Sequence, residues 1–339
     1  MRRKLRNMKE FSSVTGLSRP TVSKYFDDPL SVRPSTRAKI EAALEEYDYR
    51  PNFFAVNQNR RNPKTLGIVV PEFTDPFYAE IVGLVERAAI KAGYSAITLS
   101  SHGSPEDEAR AIEMIRSLNI GGVILSPLGH ASDAQAIARL RGEVPLLLLD
   151  SHIEGLDVAA LSCDNAQGIG LMVDHLCATG TAPCYVDLPE VNSTARERRE
   201  AYVAAMDARG FEPLILPPPE VGWRFERIGA EIARTALEAG GFPSSTLLCG
   251  NDRLAIGILS QIGKAGIRVG PDGDLRVAGH DNHPAAEFTC PSLTTVAQDT
   301  EGLAIRAIEI TLEMIARGCP CETSEQEQRP SRLVLRDSA

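Results

Sequence analysis

The ten residues T-G-L-S-R-P-T-V-S-K (15–24) hold a helix stop, a turn and a helix start, in that order. Gly16 supplies the turn, Ser18 can cap the helix that follows, and Pro20 falls in that helix's first turn, where a missing N–H costs little. Upstream, residues 8–14 read as one short helix. Downstream, the second helix runs from Arg19 to about Phe26, with Arg19, Thr21, Ser23 and Lys24 outward and Val22 and Tyr25 or Phe26 inward. A third helix is marked by Pro34 near its start and by Ile40, Ala43, Leu44 and Tyr47 at i, i+3, i+4 and i+7. Three short helices around a Gly turn, with a polar and basic outer face, form a unit able to reach base edges and phosphates.

Charge separates this head from the rest of the chain. Residues 1–64 hold 14 Lys+Arg against 7 Asp+Glu, whereas the remainder holds 22 against 38, so a net charge of −9 conceals a basic head on an acidic body. Cations that neutralise phosphates release counterions, which suits the head to nucleic acid and keeps the body off it. At 339 residues and 43% hydrophobic, the chain is too long for one ordinary domain and is neither disordered nor fibrous. Its longest apolar stretch, 144–149, is far shorter than the roughly 20 residues of a membrane span. The start M-R-R-K-L-R-N-M-K-E-F leads into no signal-peptide core, so a cytoplasmic protein with no membrane partner is expected. Seven cysteines, an odd number scattered over half the chain, point to reduced thiols. Cys319 and Cys321 have no His or Cys partner nearby, so neither a metal nor another cofactor is expected.

From Leu66 onward, short apolar runs alternate with helical patterns. Strands at 66–71, 95–100, 121–126 and 145–150 are interleaved with helices at 77–92, 105–118 and 132–141, which predicts a parallel sheet. A second series begins near Asn165 and passes through Tyr185, a helix at about 194–210, a strand at 213–216, a helix after Trp223, the strand 247–249 and a helix after Asp252. Ligands of open parallel sheets bind beyond the carboxyl ends of the strands. The residues there are Asp75, Ser126, Asp150, Asn251, Asp252 and Asp281, a set suited to hydroxyl groups, and Trp223 can stack on a sugar ring. Asp and Asn at strand ends also cap the helices that follow, and both roles remain open for each.

Three motifs in the head, T-G-L-S-R-P-T-V-S-K (15–24), V-R-P-S-T-R (32–37) and Y-R-P-N (49–52), resemble the DNA-binding head of the lactose-repressor (LacI/GalR) family of bacterial transcription regulators. Motifs in the body extend the resemblance over nearly the whole chain: L-G-I-V-V-P (66–71), D-P-F-Y-A-E-I (75–81), A-R-E-R (195–198), C-G-N-D-R-L-A-I-G (249–257), V-A-G-H-D (277–281) and P-S-L-T-T-V-A-Q-D (291–299). The resemblance implies an α/β fold: an all-α helix-turn-helix head (1–51), a hinge segment (52–64), and a two-lobed body (65–339) similar to periplasmic binding proteins, with parallel sheets. Lobe one is placed at about 65–161 and 293–323, lobe two at about 162–292 and 324–339, with crossings near Leu161, Ser292 and Ser324.

The same resemblance implies a homodimer that grips a near-palindromic double-stranded operator. Ser18, Arg19, Pro20, Thr21, Ser23 and Lys24 are then the contacts of the head. Pro20 offers only apolar contact, which makes Arg19 the strongest base reader, bidentate to a guanine. In the hinge, Asn52, Gln58 and Arg60 are implied as DNA contacts, with Gln58 where the family has an apolar wedge. Gln cannot unstack a base step as a branched apolar side chain does, so either the kink is weaker or Phe53, Phe54 or Val56 supplies the contact. For the effector, the resemblance puts Asp75, Phe77, Tyr78 and Ile81 on the cleft wall with Ser126 and Asp150. It makes Arg198, Asn251 and Asp281 the contacts to sugar hydroxyls, Trp223 the platform and Gln298 a contact on a crossover. Arg198 offers a planar fork for vicinal oxygens; read from the residues alone, a helix surface charge among Arg196 and Arg199 is the lesser alternative.

The function expected is a repressor of carbohydrate uptake or catabolism genes, released by a monosaccharide or polyol. A regulator dependent on a purine-type corepressor is the alternative. A sugar-processing enzyme is the rival outside regulation, but the sequence has no nucleophile elbow, Walker loop or metal spacing, and an enzyme leaves the basic head unexplained. No catalytic residue is assigned.

Overall fold

The computed structural model describes residues 2–51, 63–318 and 326–339, with the side chain of Asp27 left out. The expected hinge contacts Asn52, Gln58 and Arg60, the apolar candidates Phe53, Phe54 and Val56, and Cys319 and Cys321 lie outside the described residues. Two compact units are present, 1–65 and 66–339.

In the first unit, local chemistry sets the helix ends. Asn7 caps the helix Met8–Thr15 by accepting from Glu10 N at 3.0 Å, and Glu10 reaches back to Arg6 N at 2.9 Å. Gly16 closes that helix at φ +63, where a Cβ is disfavoured. Ser18 caps the helix Arg19–Asp27, and Pro20 lies in its first turn. Phe11, Val22, Tyr25, Ile40 and Tyr49 form the small core with Leu5 and Val32, and the Phe11 and Tyr49 rings stack at 4.4 Å. The third helix, Pro34–Glu46, ends one residue before Tyr47, which the periodicity had placed within it. Tyr47 instead opens β2 (Tyr47–Asp48), paired in parallel with β1 (Arg3–Lys4). Two-residue strands carry no alternation from which they can be read.

The second unit is built on two sheets. The first lobe holds six strands: β3 (Thr65–Val70), β4 (Ser95–Ser100), β5 (Gly122–Leu125), β6 (Leu146–Leu149), β7 (Ala159–Cys163) and, late in the chain, β13 (Gln326–Arg329), in spatial order β13-β7-β6-β5-β3-β4. Its central strands β3, β5 and β6 are buried along their whole length and largely apolar because both faces are covered. Leu66, Ile68, Ile124 and Leu147 feed one core, while Val69, Val123, Leu125 and Leu148 feed the other. The second lobe holds β8 (Cys184–Val186), β9 (Leu214–Leu216), β10 (Thr246–Cys249) and β11 (Arg276–Ala278), in order β11-β10-β8-β9 and parallel throughout. An antiparallel pair, β12 (Thr295–Ala297) with β14 (Arg332–Val334), completes it. No helix among the described residues is long and apolar enough to cross a membrane.

The crossings fall later than the sequence places them. β7 stays in the first sheet to Cys163, beyond Leu161; Thr294 and Ala297 are bridged to Ala278 and Asp281 of the second lobe, beyond Ser292. β13 pairs in parallel with β7, so the last crossing follows Arg329 rather than Ser324. The run Q-E-Q-R is an edge strand with no apolar face, which periodicity cannot reveal.

Candidate functional site

Two sites follow from these elements. In the head, Ser18, Arg19, Pro20 and Lys24 are exposed while Thr21 and Ser23 are half-buried. The Ser18 hydroxyl is committed to its own helix, accepting from Thr21 N at 3.4 Å and lying 2.8 Å from Thr21 Oγ1. Arg19 and Lys24 thus project from a helix anchored beneath by Val22 and Tyr25.

In the body, both sheets change direction of winding: β3 lies between β4 and β5, and β8 between β9 and β10. Loops at those switch points converge on a cleft of about 410 Å³ between the lobes. Asp75, Phe77, Tyr78 and Asp150 line it from the first lobe; Arg198, Trp223, Asn251, Asp281 and Gln298 line it opposite. Two expected wall residues are elsewhere. Ile81 is fully buried in the first-lobe core, because with Tyr78, Val85 and Ala89 it forms the inward face of the helix Pro76–Lys91. Ser126 is buried behind the cleft, its N–H bonded to Val69 O at 2.8 Å.

Arg198 is a buried cation, not a surface charge. Nε donates to Asn165 Oδ1 at 3.0 Å, Nη1 to Gly250 O at 2.9 Å and Nη2 to Asp281 Oδ1 at 2.8 Å. Burial alone raises the Asp281 carboxyl, yet Arg198, aided by His280, brings it down to about 2. Gln298 Nε2 also donates to Asp281 Oδ1, at 2.7 Å, and no described residue donates to Oδ2. Arg196 and Arg199 behave differently, pairing with Glu154 and with Asp187 and Glu190.

Capping and site roles coincide at two positions. Asp75 Oδ1 accepts from Phe77 N at 3.0 Å, and Asn251 Oδ1 accepts from Leu254 N at 2.8 Å. Asp150 and Asp281 cap nothing; they sit at φ +69 and +113, backbone strained for a residue with a side chain. Asp252 is fully buried beneath the cleft, bonded to Thr295 and to the backbone of His283.

The lobes meet through groups that the sequence reading did not single out. Asn192, the cap of the helix Ser193–Asp207, donates to the Tyr78 hydroxyl at 3.4 Å, and Tyr78 donates to Asp150 Oδ2 at 2.8 Å. Thr194 Oγ1 donates to Asp150 O at 3.1 Å, and Ser193 bonds Ser151 and His152. The pairing of Arg253 with Asp75 was also missed. The signal for Asn192 was the capping pattern N-S-T at the loop after β8, a switch-point position. Trp223 stands edge-on to Tyr78 and Phe225 at about 6 Å and lies against Gly103, where any Cβ would strike its ring.

Burial pushes the Asp150 carboxyl up to about 7, against the lowering by Tyr78 and Arg198. A carboxyl raised in the folded state contributes stability below its ordinary value of 3.8, and that contribution is lost as pH rises through about 7. His280, lowered by burial to about 4, titrates in the opposite sense, so the prediction concerns a difference. Relative to Asp150→Asn, the native chain should lose on the order of 1 kcal/mol of stability between pH 6 and pH 8. Calorimetric unfolding of both at fixed ionic strength checks this; a pH-independent difference contradicts it.

A model of the lacI family of bacterial regulatory proteins matches residues 7–52, and a periplasmic binding protein-like domain matches residues 173–339. Similar proteins include the ribose operon repressor of Escherichia coli (strain K12), 28% identical over 333 residues, covering 98% of this chain and 99% of that one. The HTH-type transcriptional repressor PurR of Pasteurella multocida (strain Pm70) is 27% identical over 337 residues, covering 98% of each. Among solved structures, the lac repressor dimer bound to operator and the anti-inducer ONPF shares the fold over 98% of each chain, with a TM-score of 0.84 at 23% identity. One chain thus carries a helix-turn-helix head of the lacI family of bacterial regulatory proteins and a periplasmic binding protein-like body, and repressors are similar to it over 98% of its length.

Proposed function

We propose that this protein is a homodimeric, cytoplasmic transcriptional repressor that leaves its operator when a monosaccharide or polyol occupies the cleft. The observation that carries the proposal is the buried Arg198–Asp281 pair beside Trp223: one free carboxylate oxygen, the remaining guanidinium donors and the Asn251 amide face the cleft next to an aromatic platform. Such a set satisfies vicinal hydroxyls and the apolar face of a ring together. The chain is a regulator and not an enzyme, like the repressors it resembles. Ligand favours one lobe arrangement and thereby biases how two heads meet DNA, a coupling of roughly 1–3 kcal/mol. Base reading is assigned to Arg19, with Ser18, Pro20, Thr21, Ser23 and Lys24 as its supporting contacts.

A purine-type corepressor is the second reading. Phe77, Tyr78, Trp223 and Phe225 give the cleft more aromatic surface than a sugar requires, and Asp150, with its raised carboxyl, can pair with a base edge. A thermal-shift screen of the full chain with D-ribose, other monosaccharides, polyols and purine bases separates the two. A ligand at 100 times its Kd should stabilise by about 2.7 kcal/mol. Stabilisation by sugars that also weakens operator binding supports the first reading; stabilisation by purines that strengthens it replaces the first with the second.

A further inference from the structure

Asp75 is already engaged on both oxygens. Oδ1 caps its helix, and Oδ2 takes Nη1 of Arg253 from the opposite lobe at 2.8 Å. Arg253 is oriented from its own lobe: Nε and Nη2 hold Glu226 at 2.7 and 2.8 Å, and the guanidinium lies 5.0 Å from the Phe225 ring centroid. Among the described residues, three ion pairs join the lobes. His152–Glu197 and Arg196–Glu154 each involve a side chain at least 39% exposed, whereas Arg253 and Asp75 are 11% and 10% exposed. The Arg253–Asp75 bond exists only when the lobes touch, and because Glu226 and Phe225 already order and partly desolvate the guanidinium within its own lobe, little of that cost is left to oppose closure.

We propose that Arg253, braced by Glu226 and Phe225, is a positioning residue that latches the cleft shut through Asp75. The latch removes Asp75 from the groups that grip the effector and leaves recognition to Arg198, Asn251 and Asp281. This inference rests on the reading of the cleft as an effector site. A ligand that selects the closed arrangement binds in proportion to the fraction already closed, so Arg253 tunes sensitivity without touching the ligand.

The test is hydrogen exchange on the full, ligand-free chain, comparing wild type with Arg253→Met, Asp75→Asn, the double variant and Arg253→Lys. Asn keeps the helix cap, so Asp75→Asn removes the charge alone. Amide exchange in segments 75–81 and 188–196 should quicken about tenfold or more in either single variant and no further in the double variant, while the sheet cores are unchanged. Arg253→Lys should recover part of the protection. Wild-type exchange in Arg253→Met, additive effects in the double variant, loss of protection across both sheet cores, or no recovery with Lys would each overturn the latch. These readouts need neither effector nor operator. The latch can therefore fail while ligand-responsive repression stands, and the reverse.

Discussion

Replacing Arg198 with alanine should abolish the response to effector and lower the melting temperature of the full chain. The substitution strands a buried carboxylate, Asp281, whose ionised state depends on that cation, and leaves Asn165 Oδ1 and Gly250 O without their donor. Removing one partner of a buried ion pair costs about 3–5 kcal/mol. For a body of this size that corresponds to a fall in Tm of roughly 5–9 °C. Calorimetry reads the fall in Tm, and titration with the ligand from the screen, carried out below the melting point, reads the lost response to effector. Operator binding should persist there, because Arg198 belongs to the second compact unit and the DNA-reading helix to the first. A variant that still binds effector with native affinity contradicts the assignment of Arg198 as the central contact.

Replacing Arg19 with alanine should change which operator is preferred. Arg19 is the first residue of its helix, exposed, with Pro20 behind it offering no polar group that could substitute. A bidentate contact to guanine contributes about 1–3 kcal/mol of discrimination at one base pair. Selection from randomised duplexes should show relaxed preference at one position in each half-site. Lys24→Ala should weaken all duplexes alike and reduce the salt slope by about one, as loss of a phosphate contact does. An unchanged preference after Arg19→Ala would count against Arg19 as the base reader.

Much of this organisation was legible in the sequence because its causes are local. Gly16, Ser18 and Pro20 each act on the backbone within a few residues, so the turn and the start of the second helix follow from their order. The apolar strands were legible because a sheet covered on both faces demands continuous apolar runs. Ile81 shows the limit: it belongs to the motif 75–81 and shares the inward face of its helix with Tyr78, but it lies nearly one turn farther from the helix start, so Tyr78 reaches the cleft while Ile81 is enclosed by the first-lobe core.

The residue order alone thus determined a basic reading head joined to a paired-sheet body, together with most of the cleft's polar set. It could not say which strand-end carboxylates cap, which pair and which remain available. Asp75, Asp150 and Asp281 look alike in the chain, yet Asp75 is held by Arg253, 178 residues away, Asp281 by Arg198, and Asp150 by Tyr78. Their differences come from burial and from partners supplied by distant segments, across the cleft for Asp75 and within one lobe for Asp150 and Asp281, and only the packed tertiary structure brings those within hydrogen-bonding distance.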